Sequence, residues 1–330
     1  MKIFFMVLAI LVCIIILLLL VVSFCVFNFI IVRPKIPKLP KNDDERNRQH
    51  IRNINNEYII SKHPSQREIT SFDGLKLKSL LLTHSKNDKK FVILVHGYQC
   101  NGRDEMSHLA RHYYDDLGFA CLIPDDRSHG KSEGKYIGFG YLDHFDILSW
   151  SNYLIENFGS DIEIILHGIS MGAATVMMTA GSDKVPEQIK GVIEDCGYND
   201  TDEEIQCNIR DMTKMKLSVI KNMASRICKK KAGYFFREAS PREFLKNASV
   251  PILFIHGTED TFVPTYMGKE LYEAYTGEKE LLIVDGARHA RSYYIDKEKY
   301  DNCMDSFIKR CIENIPAVSS ACLLYTSPSP

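Results

Sequence analysis

A serine lies between two glycines at residues 168–172, which read Gly-Ile-Ser-Met-Gly and have the spacing G-x-S-x-G. An apolar run suited to a buried strand precedes it at 164–166, and small residues able to begin a closely packed helix follow it. Between a strand and a helix this spacing forms a nucleophile elbow, a strained turn that presents the serine hydroxyl at a helix N-terminus. The pattern predicts nucleophilic catalysis by Ser170, although glycine and serine also meet by chance in ordinary turns.

A nucleophilic serine at neutral pH needs a base and an acidic group that orients the base. In sheets with this elbow the order along the chain is serine, then Asp or Glu, then histidine. Asp260 follows the apolar run 252–255 and is the predicted acid, with Glu259 as its neighbouring alternative and helix capping as its other possible role. His289 is the last histidine of the chain and follows the run 281–284, so the required order selects it as the base.

The oxyanion of the tetrahedral intermediate needs two hydrogen-bond donors. The backbone N–H of Met171 is one candidate, because it directly follows the serine. The loop after the apolar run 91–95 should supply the other, and Tyr98 is the predicted donor. Only backbone N–H groups are required, so the Tyr98 side chain can instead serve to cover the pocket.

The elements that must position these residues alternate between strand and helix. A hairpin pattern around Asp73-Gly74 spans 68–83 and predicts two antiparallel strands. Apolar runs suited to buried strands follow at 91–95, 119–123, 162–166, 191–193, 252–255 and 281–284. Amphipathic helical patterns separate most of them, at 105–117, 141–158, 172–181, 264–276 and 296–314. The alternation predicts an α/β fold with a mostly parallel central sheet and helices on both faces.

The segment 198–245 interrupts this alternation and is predicted to form a small helical cap over the site. Eight basic residues and one acidic residue lie between 210 and 231, interleaved with apolar side chains. One interpretation is an ordinary pair of amphipathic helices with a solvated basic face. The other is a lid that helps to bind an acyl chain or rests on an anionic membrane surface.

The N-terminus is strongly apolar: residues 3–32 contain no charged side chain. This exceeds the roughly 20 residues that cross a bilayer as a helix, and no small-residue cleavage site follows, so 1–32 is predicted to be an uncleaved transmembrane anchor. Four basic residues within 33–41, against Lys2 before the span, favour a catalytic domain on the cytoplasmic side. The proline-containing, charged segment 33–65 is predicted to be a tether.

The composition limits the classes of partner that the protein can bind. The 41 basic and 42 acidic residues give a net charge of −1, which argues against nucleic acid as a binding partner. Ten cysteines without a C-x-x-C pair suggest reduced thiols. His108 and His112 have the i, i+4 spacing of a metal pair but lack the accompanying glutamate and a third ligand, so no metal or cofactor is predicted. The oligomeric state does not follow from these features.

The last residues continue no pattern of the fold. The stretch 322–330 resembles a translated sequencing adapter rather than a protein segment. We therefore predict that the natural chain ends or diverges after Ile315, and that 317–330 is a non-native or disordered tail. Resequencing of the locus tests this, since a read that runs through the tail into native sequence would contradict it.

Two further motifs point to a family. Residues 126–134 read D-R-S-H-G-K-S-E-G, and residues 256–264 read H-G-T-E-D-T-F-V-P. With the elbow, they make the chain from 66 to 316 resemble an α/β-hydrolase, and most closely the bacterial membrane-anchored hydrolases of the serine-aminopeptidase-like branch. Ser128 and Arg288 depart from the family pattern, which usually has glycine at both positions.

The resemblance implies hydrolysis of an ester, thioester or amide of a small acyl substrate through an acyl-enzyme. The anchor and the apolar, basic cap favour a carboxylesterase or lipase-like enzyme. A serine aminopeptidase is the alternative, since Asp202, Glu203 and Glu204 can supply an acidic cluster for an ammonium group. A non-catalytic membrane scaffold with this fold is the alternative from a different class.

Overall fold

A computed structural model describes residues 1–33, 43–214, 217–313 and 323–324, with side chains except at 43, 44, 212, 323 and 324. The centre is one sheet with the strand order β1-β2-β4-β3-β5-β6-β7-β8-β9. β2 is antiparallel to both of its neighbours, and the other pairs are parallel. The strands are β1 Ser65–Thr70, β2 Lys76–Leu82, β3 Lys90–Val95, β4 Ala120–Pro124, β5 Glu163–Ile169, β6 Ile189–Asp195, β7 Ile252–Gly257, β8 Lys279–Val284 and the two-residue β9 Leu323–Leu324.

Helices cover both faces of this sheet. They are α1 Lys2–Ile31, α2 Asp43–Ser61, α3 Gly102–Asp115, α4 Asp143–Phe158, α5 Met171–Ala180, α6 Thr201–Thr213, α7 Ser218–Ala232, α8 Pro241–Phe244, α9 Thr265–Ala274, α10 Ser292–Ile295 and α11 Lys297–Glu313. The predicted α/β fold, with its N-terminal hairpin and mostly parallel sheet, is therefore confirmed.

The continuous apolar runs follow from burial on both faces. Along β3, Phe91, Ile93 and Val95 enter one apolar core, and Val92 and Leu94 enter the core on the opposite face. A strand with one polar face would alternate, whereas a parallel strand between two helical layers has no polar face. This is why the sequence pattern identified the parallel strands.

The apolar helix α1 makes two kinds of contact along its length. Within the described ranges it is the one helix long and apolar enough to cross a membrane, a property that signal sequences share. Its first two thirds are almost entirely exposed, but Phe27 and Ile31 near its end are buried against the rest of the protein. The Ile137 N–H donates to Ile31 O at 2.8 Å, so one terminal carbonyl of the helix is satisfied by the hydrolase domain.

The structure differs from the predicted tether over 33–65. Residues 34–42 lie outside the described residues, but Asp43–Ser61 is helix α2, which packs against α3. Arg52 on α2 is buried and donates to Glu105 on α3 at 2.9 Å, and Ile59 lies in the apolar core. The charged composition suggested solvation, but the buried charge is paired and the apolar side chain faces the domain.

The segment 198–245, predicted as the cap, contains α6, α7 and α8. The last third of α1 packs against α7, and their side chains share one apolar cluster with residues next to the elbow. Of the tail 317–330 the structure describes only Leu323–Leu324, paired with β8. The origin of that tail stays a prediction.

Candidate active site

The turn that carries Ser170 is strained and leaves no room for side chains around it. Ser170 has φ 57° and ψ −114° between β5 and α5, a conformation that L-residues rarely adopt and that costs about 1–3 kcal/mol. A Cβ on Gly168 would lie 2.2 Å from Gly172 O, and one on Gly172 would lie 2.1 Å from Val95 O. Both glycines are therefore required by close backbone approach.

Three of the predicted residues meet at this turn. His289 Nε2 lies 2.9 Å from Ser170 Oγ, and His289 Nδ1 lies 2.7 Å from Asp260 Oδ2. The three come from the loops after β5, β7 and β8, which end at the same edge of the sheet. Ligand sites of parallel α/β sheets form at this edge, because the carboxyl ends of neighbouring strands lie side by side.

The surroundings of Asp260 decide between the two predicted acids. Asp260 is buried and Glu259 is exposed. Asp260 Oδ1 accepts from the Phe262 and Val263 N–H groups, at 3.0 and 2.9 Å, while Oδ2 faces His289. The two oxygens of Asp260 therefore differ in role: Oδ1 orders the turn before α9 without capping that helix, and Oδ2 orients His289.

Asp260 also stays ionised. Burial raises its pKa, but hydrogen bonding and attraction from His256 and His289 outweigh burial and hold the pKa well below its usual range. His256 Nε2 lies 3.5 Å from Asp260 Oδ2. Sequence reasoning gave His256 no role, because nothing in its spacing indicates that it contacts the same carboxylate as His289.

The two predicted oxyanion donors lie on the two loops around Ser170. A Cβ on Gly97 would lie 3.2 Å from Ser170 Cβ, so the Tyr98 loop approaches the serine closely. The N–H groups on either side of Tyr98 are occupied: Gly97 N donates to Glu105 at 2.5 Å, and Gln99 N donates to the ring of His129 at 3.2 Å. In the loops and helix caps that the structure describes, the N–H groups of Tyr98 and Met171 donate to no protein acceptor.

Glu105 connects this loop to α2, and sequence reasoning missed it. Its carboxylate accepts from Gly97 N through one oxygen and from Arg52 through the other. Burial raises the pKa of Glu105, but attraction to Arg52 and Arg48 and the bond from Gly97 outweigh it and lower the pKa to about 2. The partners Arg52 and Glu105 are 53 residues apart, so no local pattern identifies the pair.

The loop 125–134 braces the site from the side. Arg127 is buried and makes two hydrogen bonds of 2.7 Å to Asp146 and two, of 2.9 and 3.2 Å, to Asp73 in the hairpin turn. Ser128 has φ 63°, which explains why glycine is usual at this position. Its hydroxyl donates to Tyr136 O at 2.8 Å, and this bond offsets part of the backbone strain.

Two cavities meet at Ser170. The first, of about 650 Å³, is mainly apolar and is lined by residues of α1, α6 and α7 together with Met171 and Val263. The second, of about 500 Å³, has a mixed polar and apolar lining that includes Arg48 and Arg52 of α2 and His289. The serine therefore lies between a mainly apolar compartment and one that also carries charged side chains.

The three acidic residues of the cap have different partners. Asp202 pairs with Lys221, and Glu203 accepts a 2.8 Å hydrogen bond from the Tyr266 hydroxyl. Glu204 alone of the three lines the apolar cavity, and burial raises its pKa to about 8. Two of the three carboxylates are thus engaged outside the lining of this cavity.

The ligand atoms of Cys196, Asp260 and His289 lie within 4.8 Å of one another, a spacing also suited to a metal ion. Burial raises the pKa of the Cys196 thiol well above its usual value, which disfavours the thiolate that binds metals. The His108–His112 pair is engaged elsewhere: both ring nitrogens of His112 lie 2.8 Å from aspartate oxygens. Asp260, His289 and His112 are thus each engaged in hydrogen bonds with protein groups.

Comparison with known proteins agrees with the fold. Residues 86–232 match the family described as serine aminopeptidase, S33. The uncharacterized protein YqkD of Bacillus subtilis (strain 168) is 30% identical over 217 residues, which cover 66% of this chain and 70% of YqkD. The elbow, the sheet and these matches define an α/β-hydrolase. The chain belongs to the α/β-hydrolase superfamily, and its family match lies in the serine-aminopeptidase-like branch.

Solved structures share the fold. The esterase Pf2001 of Pyrococcus furiosus is 22% identical with a TM-score of 0.63, and the match covers 84% of this chain and 98% of that one. The ferulic acid-bound Est1E of Butyrivibrio proteoclasticus is 20% identical with a TM-score of 0.58, covering 75% and 99%. At this level of identity the likeness concerns the fold.

Proposed function

We propose that this protein is a membrane-anchored serine hydrolase that cleaves an ester-type bond through an acyl-enzyme, as a carboxylesterase or lipase-like enzyme. The observation that carries the proposal is the hydrogen-bonded chain Ser170–His289–Asp260, whose serine opens onto an apolar cavity of about 650 Å³. Cavities of roughly 300–1,000 Å³ are typical of small-molecule sites. The superfamily assignment supports a hydrolase.

Acylation begins when Ser170 Oγ attacks the carbonyl carbon of the substrate and His289 Nε2 takes the hydroxyl proton. The carbonyl oxygen becomes an oxyanion, and the Met171 and Tyr98 N–H groups stabilise it. When the intermediate collapses, His289 returns the proton to the leaving alcohol oxygen and the acyl group stays on Ser170. A water molecule then attacks the acyl carbon as His289 accepts its proton, and His289 returns that proton to Ser170 Oγ when the carboxylic acid leaves.

Asp260 acts through His289. Its carboxylate fixes the tautomer with the proton on Nδ1, so that Nε2 can accept the serine proton, and its charge stabilises the imidazolium that forms. The low pKa of Asp260 supports this role, because the acid stays ionised throughout the neutral range. The Phe262 and Val263 N–H groups keep the carboxylate oriented.

The side chains that the cap contributes to the cavity favour ester substrates over peptides with a free amino terminus. An aminopeptidase needs a negative charge where the substrate ammonium binds. The apolar cavity offers only Glu204 for this purpose among the three cap carboxylates, and a carboxyl with a pKa of about 8 is mainly neutral at pH 7. An apolar acyl group fits the same lining without a charge partner.

The anchor and its orientation are part of the proposal. Helix α1 supports a single membrane span, and the basic residues after it favour a hydrolase domain on the cytoplasmic side. Protease accessibility of the domain in intact spheroplasts, compared with lysed membranes, tests the side. Digestion in intact spheroplasts would contradict the proposed orientation.

The activity is tested with the full chain in detergent micelles, using p-nitrophenyl esters from acetate to dodecanoate and aminoacyl-p-nitroanilides. Ser170→Ala, which keeps the fold and removes the nucleophile, is the matched control. We expect ester turnover in the parent and a fall in kcat on the order of 10⁶-fold in the variant. Turnover of the anilides alone would favour the aminopeptidase. Equal activity in parent and variant, or no turnover by the folded parent, would favour the scaffold.

A further inference from the structure

The last third of α1 does not leave the hydrolase domain but forms part of its apolar cavity. Of the cavity lining, five side chains belong to this helix: Val22, Cys25, Val26, Phe29 and Ile30. Residues of α6 and α7 line the same cavity, and so do Ser170 and Met171. A membrane anchor and a nucleophile thus border the same space.

The docking of α1 is specific. Phe27 and Ile31 are buried in an apolar cluster that also contains Met171, the residue after the nucleophile. The Tyr98 hydroxyl donates to Ile30 O at 2.8 Å, and Val32 forms an antiparallel bridge with Tyr136. The terminal carbonyls of a helix have no partners within the helix, so these bonds replace water at the helix end.

The exposed part of α1 has the length of a bilayer core. Residues 3–21 are nearly all exposed, and at 1.5 Å per residue they extend about 29 Å. The hydrocarbon core of a bilayer is about 30 Å thick. With this segment in the membrane, residues 22–31 lie at its surface, so the cavity that they line opens at the membrane surface rather than into bulk water.

The mouth of the cavity is continuous with the lipid-facing surface. Cys25 and Phe29 line the cavity, yet both are exposed on the helix. Lys231 at the end of α7 lies over the Phe24 ring at 6.0 Å, which puts a basic helix end at the level of lipid headgroups. An acyl chain can therefore pass from the bilayer to Ser170 along one apolar path.

We propose that the acyl site of this enzyme is built jointly by the anchor and the cap, and that its occupant is the acyl chain of an ester resident in the same bilayer. This inference rests on the proposed function and specifies its substrate class. The anchor then has two roles, because it holds the domain at the membrane and forms one wall of the specificity pocket. The Tyr98 hydroxyl bond also ties the oxyanion loop to the anchor.

The test places tryptophan side chains on α1 so that they occupy part of the cavity. The full chain is reconstituted into phosphatidylcholine vesicles together with p-nitrophenyl acetate or p-nitrophenyl dodecanoate. Val22→Trp narrows the cavity, and Val21→Trp places the same ring on the exposed face one residue away. We expect Val22→Trp to lower kcat/KM for the dodecanoate at least tenfold relative to the acetate, because several methylenes lose their burial. Val21→Trp should change neither.

Cys25→Trp is a second cavity-filling variant, which keeps the test valid if Val22→Trp does not fold. Cys25 is exposed on α1 and lines the cavity, so a tryptophan there blocks acyl binding without entering the packed core. We expect the same selective loss of dodecanoate turnover. Unchanged ratios of dodecanoate to acetate turnover in both cavity variants would overturn the inference while leaving the proposed function intact. Absence of Ser170-dependent acetate turnover in the parent would overturn both.

A second arm identifies the source of the ester. A fluorogenic long-chain acylglycerol is placed either in the vesicles that carry the enzyme or in separate vesicles at equal total concentration. Access from the shared bilayer predicts initial rates at least tenfold higher when enzyme and ester share vesicles, with the advantage reduced by Val22→Trp. Equal rates in the two arrangements would mean uptake from solution and would contradict the proposal.

Discussion

Replacing Arg52 tests whether α2 is an integral part of the domain. Arg52 donates to the buried Glu105 at 2.9 Å, and Glu105 in turn holds Gly97 N beside the oxyanion loop. In Arg52→Met the stem of the side chain keeps its packing, but the carboxylate loses its main countercharge. Breaking a buried pair in this way is strongly destabilising, because the remaining charge has no compensation.

The magnitude follows from the pKa of Glu105. Its fall from 4.5 to about 2 corresponds to about 3 kcal/mol at roughly 1.4 kcal/mol per pKa unit. We expect Arg52→Met to lower the free energy of unfolding at pH 7 by about 3 kcal/mol, within the range of about 3–5 kcal/mol for broken buried pairs. The folded pKa is below the unfolded one, so the carboxylate stabilises the protein above about pH 4.5 and loses this effect as pH falls towards 2. The deficit of the variant should shrink over that window.

Urea unfolding in detergent measures this difference through Trp150, which is the single tryptophan of the chain and is buried in the core. Arg103→Met is the matched control, because Arg103 is exposed and lies 3.8 Å from Asp104; a change below about 0.5 kcal/mol is expected there. Arg52→Met combined with Glu105→Gln should recover most of the loss, since neither partner of the Arg52–Glu105 pair is then left as an uncompensated charge. A loss below about 0.5 kcal/mol in Arg52→Met, or a loss that does not depend on pH, would contradict this role of the pair.

Three further predictions concern the site. Asp260→Asn should lower kcat for short esters about 10⁴-fold through the wrong histidine tautomer; a loss below tenfold in the folded variant would contradict its role. Glu204→Gln should leave dodecanoate turnover at pH 7 unchanged but remove a rise in KM above about pH 8, where the wild-type carboxyl becomes charged in the apolar cavity; parallel pH profiles would contradict this. Gly172→Ala should abolish activity, because its Cβ would lie 2.1 Å from Val95 O, and normal turnover would contradict the elbow geometry.

Much of the fold was predictable because its signals are local. Each parallel strand is a continuous apolar run, since both faces are covered, and each amphipathic helix has its own period. The residues of the candidate triad were also predictable from the sequence, because Ser170, Asp260 and His289 each follow a strand and have a fixed order along the chain. The structure brings these three within hydrogen-bond distance.

The contacts of α1 and α2 were not predictable from the sequence. Helix α1 is apolar all round, so no periodicity distinguishes the buried Phe27 from the exposed Phe24. Helix α2 is polar on average, and its buried Arg52 is stabilised by a partner 53 residues away. Both helices owe their position to long-range pairing, which composition and period do not encode.

Covalent labelling determines whether Ser170 is the nucleophile. The folded full chain is treated in detergent with a fluorophosphonate, digested, and its modified peptides are identified by mass spectrometry. We expect one modified residue, Ser170, with no label in Ser170→Ala and much slower labelling in His289→Ala. Stoichiometric labelling at another serine, or a folded parent that stays unlabelled, would mean that Ser170 is not the nucleophile.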